Sequence, residues 1–294
     1  MSEPVGVLII DKPVGITSHG VVARVRKALG IRKVGHAGTL DPDATGVLVV
    51  GVGPATRLLG YLAASDKEYT STFVLGQSTL TDDAAGDTIA WADAHELTRD
   101  EIEHAMLALT GAIEQRPSSV SAIKVSGKRA YDLVRSGEDV ELATRPVTVS
   151  AFDLLDVCAE ERQGHRVMVA KVRVDCSAGT YVRALARDLG QALGVGGHVA
   201  TLRRTRSGAF TLDDAVALDD VSTSSRLLRP AEAARRTLPT VAISSDAGRL
   251  ARHGVQLPWP ADAGAGPVAF LDGDDLVGVA QERSGRTAWS VVFA

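Results

Sequence analysis

Cysteine is almost missing: the 294 residues hold two, Cys158 and Cys176, with no CxxC partner and no paired histidines nearby. That pattern offers neither a disulfide framework nor a zinc site, and leaves core or structural thiols as the expected roles. His95 and His104 also lack ligand companions at metal spacing, so surface or capping roles are expected for them. No apolar run approaches the roughly 18 residues needed to span a membrane, and Glu3 and Pro4 precede the first apolar segment, where a signal peptide would carry positive charge. A soluble, cytoplasmic, metal-free protein is the expectation. Aromatic residues make up only 4% of the chain, and the net charge of −4 argues against a general nucleic-acid coat protein. Repeats and low-complexity segments are lacking as well.

The charge that is present is unevenly placed. Arg24, Arg26, Lys27, Arg32 and Lys33 fall in one stretch without an acid; Arg116, Lys124, Lys128, Arg129 and Arg135 form a second cluster; Arg203, Arg204 and Arg206 form a third. Taken singly, such a cluster reads as solvated surface more often than as a binding site. Much of the negative charge sits in one region, at Asp82, Asp83, Asp87, Asp93, Glu96, Asp100, Glu101 and Glu103, and is expected to be mostly solvated surface.

Periodicity assigns the scaffold. Residues 5–10 read as a strand, and a helix capped by Thr17 or Ser18 follows, with Val21, Val22, Val25, Ala28 and Leu29 at core spacing. Strands are expected at 47–52, 69–75 and 166–175, where apolar runs or alternation take over. Thr98 with Glu101 forms a capping box before a short helix. Residues 114–140 lack a period and read as an irregular excursion. The helix carrying Val182, Leu185, Ala186, Leu189 and Leu193 places Arg183 in its first turn, where the helix dipole disfavours a cation by about 0.3–1 kcal/mol. Arg183 therefore needs an anion, and Asp41 would supply one. Prolines thin the pattern after residue 230; beyond about 240, three short strands around a Gly273 turn suggest a small β-rich appendix.

The densest stretch is Gly35-His36-Ala37-Gly38-Thr39-Leu40-Asp41-Pro42-Asp43-Ala44-Thr45-Gly46-Val47-Leu48. Its glycines and proline make a loop, and Pro42 biases Asp41 away from helical backbone, so the stretch presents a carboxylate at a strand edge. Spacing alone leaves open whether Asp41 caps a turn or reacts.

This stretch closely resembles the catalytic motif of the TruB-type tRNA pseudouridine synthases. Asp11-Lys12-Pro13-Val14-Gly15-Ile16-Thr17-Ser18 and Cys176-Ser177-Ala178-Gly179-Thr180-Tyr181-Val182-Arg183 resemble two further signatures of that family, in the same order. The resemblance covers roughly residues 5–210. It implies an α+β fold with a mixed, largely antiparallel sheet and flanking helices forming a catalytic cleft in residues 1–240, an RNA-gripping insertion at about 114–140, and a PUA-like RNA-binding domain at 241–294. Arg249 to Gly254 resembles the opening of that last module. Val120 departs from the family, which often carries an aromatic residue at that position.

The activity implied is isomerisation of uridine to pseudouridine at position 55 in the TΨC loop of tRNA, with no cofactor, by a monomer. Asp41 is implied as the essential carboxylate, acting on C1′ or on the pyrimidine ring. Arg183 keeps it ionised, and Tyr69 takes or relays the C5 proton or stacks on the base. His36 fills the gap left by the flipped nucleotide, Tyr181 and Leu202 line the base pocket, and Lys124 and Arg203 bind RNA. Two rivals make different predictions: a non-catalytic RNA-binding protein leaves Asp41 dispensable, and a nucleoside hydrolase releases free base.

Overall fold

The computed structural model describes residues 4–118, 124–125, 128–129 and 142–293, and the chain divides into two compact units, Met1–Ser65 with Arg206–Ala294, and Asp66–Thr205.

In the first unit, strand β1 (Gly6–Lys12) lies antiparallel to β3 (Thr45–Val52), and β2 (Val34–Ala37) also pairs with β3. Both faces of β1 and β3 are buried, which is why their sequences are continuous apolar runs rather than alternating ones. Leu8, Ile10, Leu48, Val50 and Val52 meet Val21, Val22, Val25 and Leu29 of helix α1 (Ser18–Leu29). Val7, Ile9, Val47 and Val49 face the other way, into a core shared with Leu58, Leu62, Phe210 and the helix Pro230–Thr237. Thr17 caps α1 by accepting from the Gly20 amide, and Gly30 ends it in the left-handed region at φ 64°. Arg26 and Lys27, in its last turn, sit where the helix dipole favours cations.

Thr240–Ala242, Val268–Asp272, Asp275–Arg283 and Arg286–Val292 form a four-stranded sheet in the same unit, turning at Gly273 as the sequence suggests. Two helices missing from the sequence reading accompany it, Pro230–Thr237 and Ser245–Arg252. Pro230 occupies the first helical turn, the one place where its missing N–H does no harm, so a residue read as a breaker is a starter.

In the second unit, β4 (Lys67–Leu75) pairs antiparallel with His165–Cys176, which pairs with Arg145–Arg162, which in turn pairs with Gly111–Gln115. The strand Arg145–Arg162 escaped the sequence reading because bulges at 149/151 and 154/156 shift its alternation out of phase. Its turn is a two-residue hairpin with Gln163 at φ 52° and Gly164 at φ 80°. The capping box at Thr98 and Glu101 starts the helix Arg99–Leu107 as expected. Most pairings are antiparallel; β1 with Val216–Ala217 and Thr240–Ala242 with Val268–Asp272 are parallel, giving the expected mixed sheet. Of the 114–140 excursion, residues 114–118, the first two of them in the strand Gly111–Gln115, and a short ladder between Lys124–Val125 and Lys128–Arg129 are described; the rest lies outside the described residues.

Candidate active site

The register Lys12↔Gly46 between β1 and β3 brings the segment 11–18 alongside the loop that carries Asp41. The backbone on each side of Asp41 is then pinned by that segment. On the preceding side, the buried Ser18 hydroxyl accepts from the Leu40 amide at 2.9 Å and donates to the Leu40 carbonyl at 3.0 Å. On the following side, the Pro42 carbonyl accepts from Lys12 Nζ at 3.0 Å and from the Gly15 amide at 2.9 Å. The Asp41 carbonyl itself accepts from Ala44 N at 3.1 Å, closing the turn. A half-buried carboxylate is thus held by a backbone with little freedom left to it.

Lys12 is fully buried and also donates to the Pro13 carbonyl at 2.9 Å. Burial pushes its pKa down to about 8, although Asp43 and Asp41 pull in the opposite direction. His36 is half-buried on β2, opposite Val50, and its ring meets His19 edge-to-face at a centroid distance of 5.2 Å. Gly38 just beyond it adopts φ 86°, a backbone that only glycine takes readily.

Tyr69, Arg183, Tyr181, Leu202 and Arg203 belong to the second unit. Tyr69 is buried on β4 opposite Val174, two residues into the strand, as its position in the sequence suggests. Arg183 is buried in the first turn of the helix Val182–Ala192. Its guanidinium lies 3.2 Å from Asp83 Oδ2 and donates to the Thr81 carbonyl at 2.9 Å. The anion that a cation in a first helical turn demands is supplied within this unit by Asp83. Beside it, Asp82, at φ 58°, pairs with Arg187 at 3.1 Å; burial raises the Asp82 pKa. Neither carboxylate is plain solvated surface, so these two are the exceptions in a stretch expected to be mostly so. The left-handed Asp82 helps fold residues 79–87 back, so that the Ala84 amide meets the Val199 carbonyl at 2.9 Å.

Tyr181 precedes the same helix, half-buried. Gln115 holds its backbone from both sides: Tyr181 N donates to Oε1 at 2.8 Å, and Nε2 donates to the Tyr181 carbonyl at 3.1 Å. Gln115 is fully buried, so its side chain holds the Tyr181 backbone rather than facing solvent. Arg145 lies over the Tyr181 ring, 5.9 Å from its centroid. Leu202 and Arg203 are half-buried on the strand Gly197–Ser207. Lys124 lies in the short ladder within the excursion.

Two buried cations lie elsewhere in this unit. Lys67 is pushed down to about 8 by burial and by Arg204, with Cys176 and Asp66 opposing. Cys176 is buried and its thiol is pushed up to about 11 by burial, as a core thiol should be, whereas Cys158 is exposed and has no core role. Among the described residues, no group of His, Cys, Asp or Glu side chains gathers at metal-binding distance, and no helix is long and apolar enough to cross a membrane.

Residues 26–182 match the family model described as TruB family pseudouridylate synthase (N terminal domain), and residues 183–239 match the one described as tRNA pseudouridylate synthase B C-terminal domain. The chain is 50% identical over 295 residues to a protein of Streptomyces avermitilis called tRNA pseudouridine synthase B, covering 99% of this chain and 97% of that one. It is 52% identical over 291 residues to a Rhodococcus jostii protein of the same name, covering 98% and 93%. Among solved structures it resembles a Cbf5-Nop10-Gar1 complex at 30% identity with a TM-score of 0.70, covering 98% of this chain and 84% of that one. An H/ACA RNP bound to a substrate RNA containing 2'-deoxyuridine is similar at 29% identity, with a TM-score of 0.70 and the same coverage.

Proposed function

Since this chain belongs to the TruB family of pseudouridylate synthases, we propose that it isomerises uridine 55 in the TΨC loop of tRNA, with Asp41 as the catalytic carboxylate. The enzyme is an isomerase, and the reaction balances internally. The C1′–N1 bond breaks, a C1′–C5 bond forms, C5 loses a proton and N1 ends protonated. No redox or energy cofactor enters, and neither does a metal ion.

The observation that carries this reading is the double clamp on Asp41. A turn-capping aspartate needs no such support, whereas a carboxylate that must approach C1′ or the ring gains from a backbone fixed before the substrate arrives. Asp41 adds to C1′ or to the pyrimidine ring, or assists cleavage of the glycosidic bond. Arg183 serves Asp41 as well as Asp83, since a guanidinium carries five donors and never deprotonates. Tyr69 takes or relays the C5 proton and offers its ring to the base.

The target base must leave its stack to reach Asp41, which requires a few kcal/mol from compensating contacts. His36 fills the gap, Tyr181 and Leu202 line the pocket, and Lys124 and Arg203 grip the RNA backbone. Residues 1–240 form the catalytic domain and 241–294 a PUA-like RNA-binding domain of a cytoplasmic monomer. The test is incubation with an unmodified tRNA transcript, followed by carbodiimide-dependent primer-extension mapping. A stop at position 55, absent with Asp41→Asn, is the expected result. A stop elsewhere, or release of free uracil, overturns the proposal.

A further inference from the structure

The first turn of α1 presents three consecutive side chains to three different tasks. Thr17 caps its own helix, and Ser18 is spent on Leu40. His19 does neither. It is an exposed residue, yet its ring stands at 87° to that of His36 with centroids 5.2 Å apart, inside the range at which edge-to-face pairs attract. Because Ser18 locks this turn to the catalytic loop, His19 is delivered to His36 from a fixed platform rather than from a mobile surface.

We infer that His19 is a positioning residue for His36, holding its imidazole in the orientation that enters the RNA stack when the target uridine leaves. The inference rests on the wedge role proposed for His36. Its physical content is pre-organisation. A half-buried ring at the end of a short strand has about three staggered choices at χ1, and a perpendicular neighbour favours one of them. Losing that bias lowers the competent fraction of the free enzyme, and apparent flipping efficiency falls in proportion. His19 is solvent-facing, so its ring adds little burial and its removal leaves the core untouched.

The test places 2-aminopurine next to the target uridine in a tRNA transcript and follows flipping by stopped-flow fluorescence for His19→Ala, His19→Phe, His36→Ala and the double variant, alongside thermal melting. His19→Ala is expected to slow flipping about three- to tenfold at an unchanged melting temperature. His19→Phe, which keeps an aromatic edge, restores the rate. In the His36→Ala background, His19→Ala adds nothing. An equal loss in that background means that His19 touches RNA directly and overturns the inference, as does an unchanged rate for His19→Ala. If His36→Ala itself flips at the wild-type rate, the wedge role falls and the inference falls with it; a slow His36→Ala beside an unaffected His19→Ala sinks the inference alone.

Discussion

Replacing Ser18 by alanine removes one oxygen and leaves two backbone groups to be accounted for. Leu40 is 4% exposed, so its amide and carbonyl, bonded to the Ser18 hydroxyl at 2.9 and 3.0 Å, have no bulk water to turn to. The space vacated is smaller than a water molecule needs. A buried group left without its partner costs about 1–3 kcal/mol, so with two such groups a loop that stays in place loses about 2–6 kcal/mol. The alternative is for the loop to move until Leu40 reaches solvent. Stability then falls less, but Asp41 leaves its aim, and every 1.4 kcal/mol shifted from the clamped to the relaxed state takes about tenfold from the competent population. The two outcomes are conjugate: a small loss in the urea midpoint should accompany a loss of about ten- to a hundredfold in single-turnover pseudouridine formation, and a large one should accompany a nearly normal rate. Urea unfolding and single turnover with enzyme in excess read both on one preparation. A variant that keeps the wild-type rate and loses under about 0.5 kcal/mol would refute the clamp.

Asp41→Asn should abolish turnover while tRNA affinity stays within about tenfold, since the amide keeps the shape and loses the anion; filter binding beside product mapping checks both. Tyr69→Phe should bind tRNA normally yet lose about 10²–10⁴-fold in rate, and Tyr69→Leu should also weaken binding; a Phe variant at the wild-type single-turnover rate leaves Tyr69 only a stacking role. Lys12 ionises at about 8 folded against an ordinary 10.5, so between those pH values the unfolded chain binds a proton that the folded one lacks, and stability rises with pH by up to roughly 3 kcal/mol. Lys67 adds to the rise over the same window and Cys176 opposes it from pH 9 upward, so urea midpoints should climb from pH 8 to 9 and climb less in Lys12→Met. Deleting residues 241–294 should lower the melting temperature and not only tRNA affinity, because Ala269, Leu271, Leu276 and Val279 share a core with Val7, Ile9, Val47 and Val49; differential scanning calorimetry on the truncated chain decides it.

What could be read ahead of the structure was whatever repeats locally. The apolar runs of β1 and β3, the caps at Thr17 and Thr98, and the first-turn position of Arg183 are written within a few residues of where they act. The strand Arg145–Arg162 is not, because its bulges reverse the alternation partway along, and Pro230 is a breaker or a starter depending on which side of it the helix lies. At the candidate site, Asp41, His36 and Tyr69 stood out because their motifs are compact. The partnerships of Asp83 and Gln115 did not, since each acts through one distant residue: Arg183 is 100 positions from Asp83, and Gln115 meets Tyr181 across 66. A lone polar residue carries no trace of a partner that far along the chain.

The shared core of the first unit also bears on the order in which the protein comes into being. Val7 and Ile9 leave the ribosome early, but the cluster that buries one of their faces includes Ala269, Val279 and Phe293. At about 5–20 residues per second, that face waits roughly fifteen seconds to a minute for its partners, while residues 66–205 can fold as a contiguous piece in between. The loop bearing Asp41 should therefore be the last part of the molecule to become rigid during synthesis, although it is encoded near the start. Limited proteolysis of ribosome-stalled chains checks the order: cleavage within residues 1–65 should persist until the segment 268–293 has emerged, and protection at shorter lengths would show that the early strands find cover elsewhere.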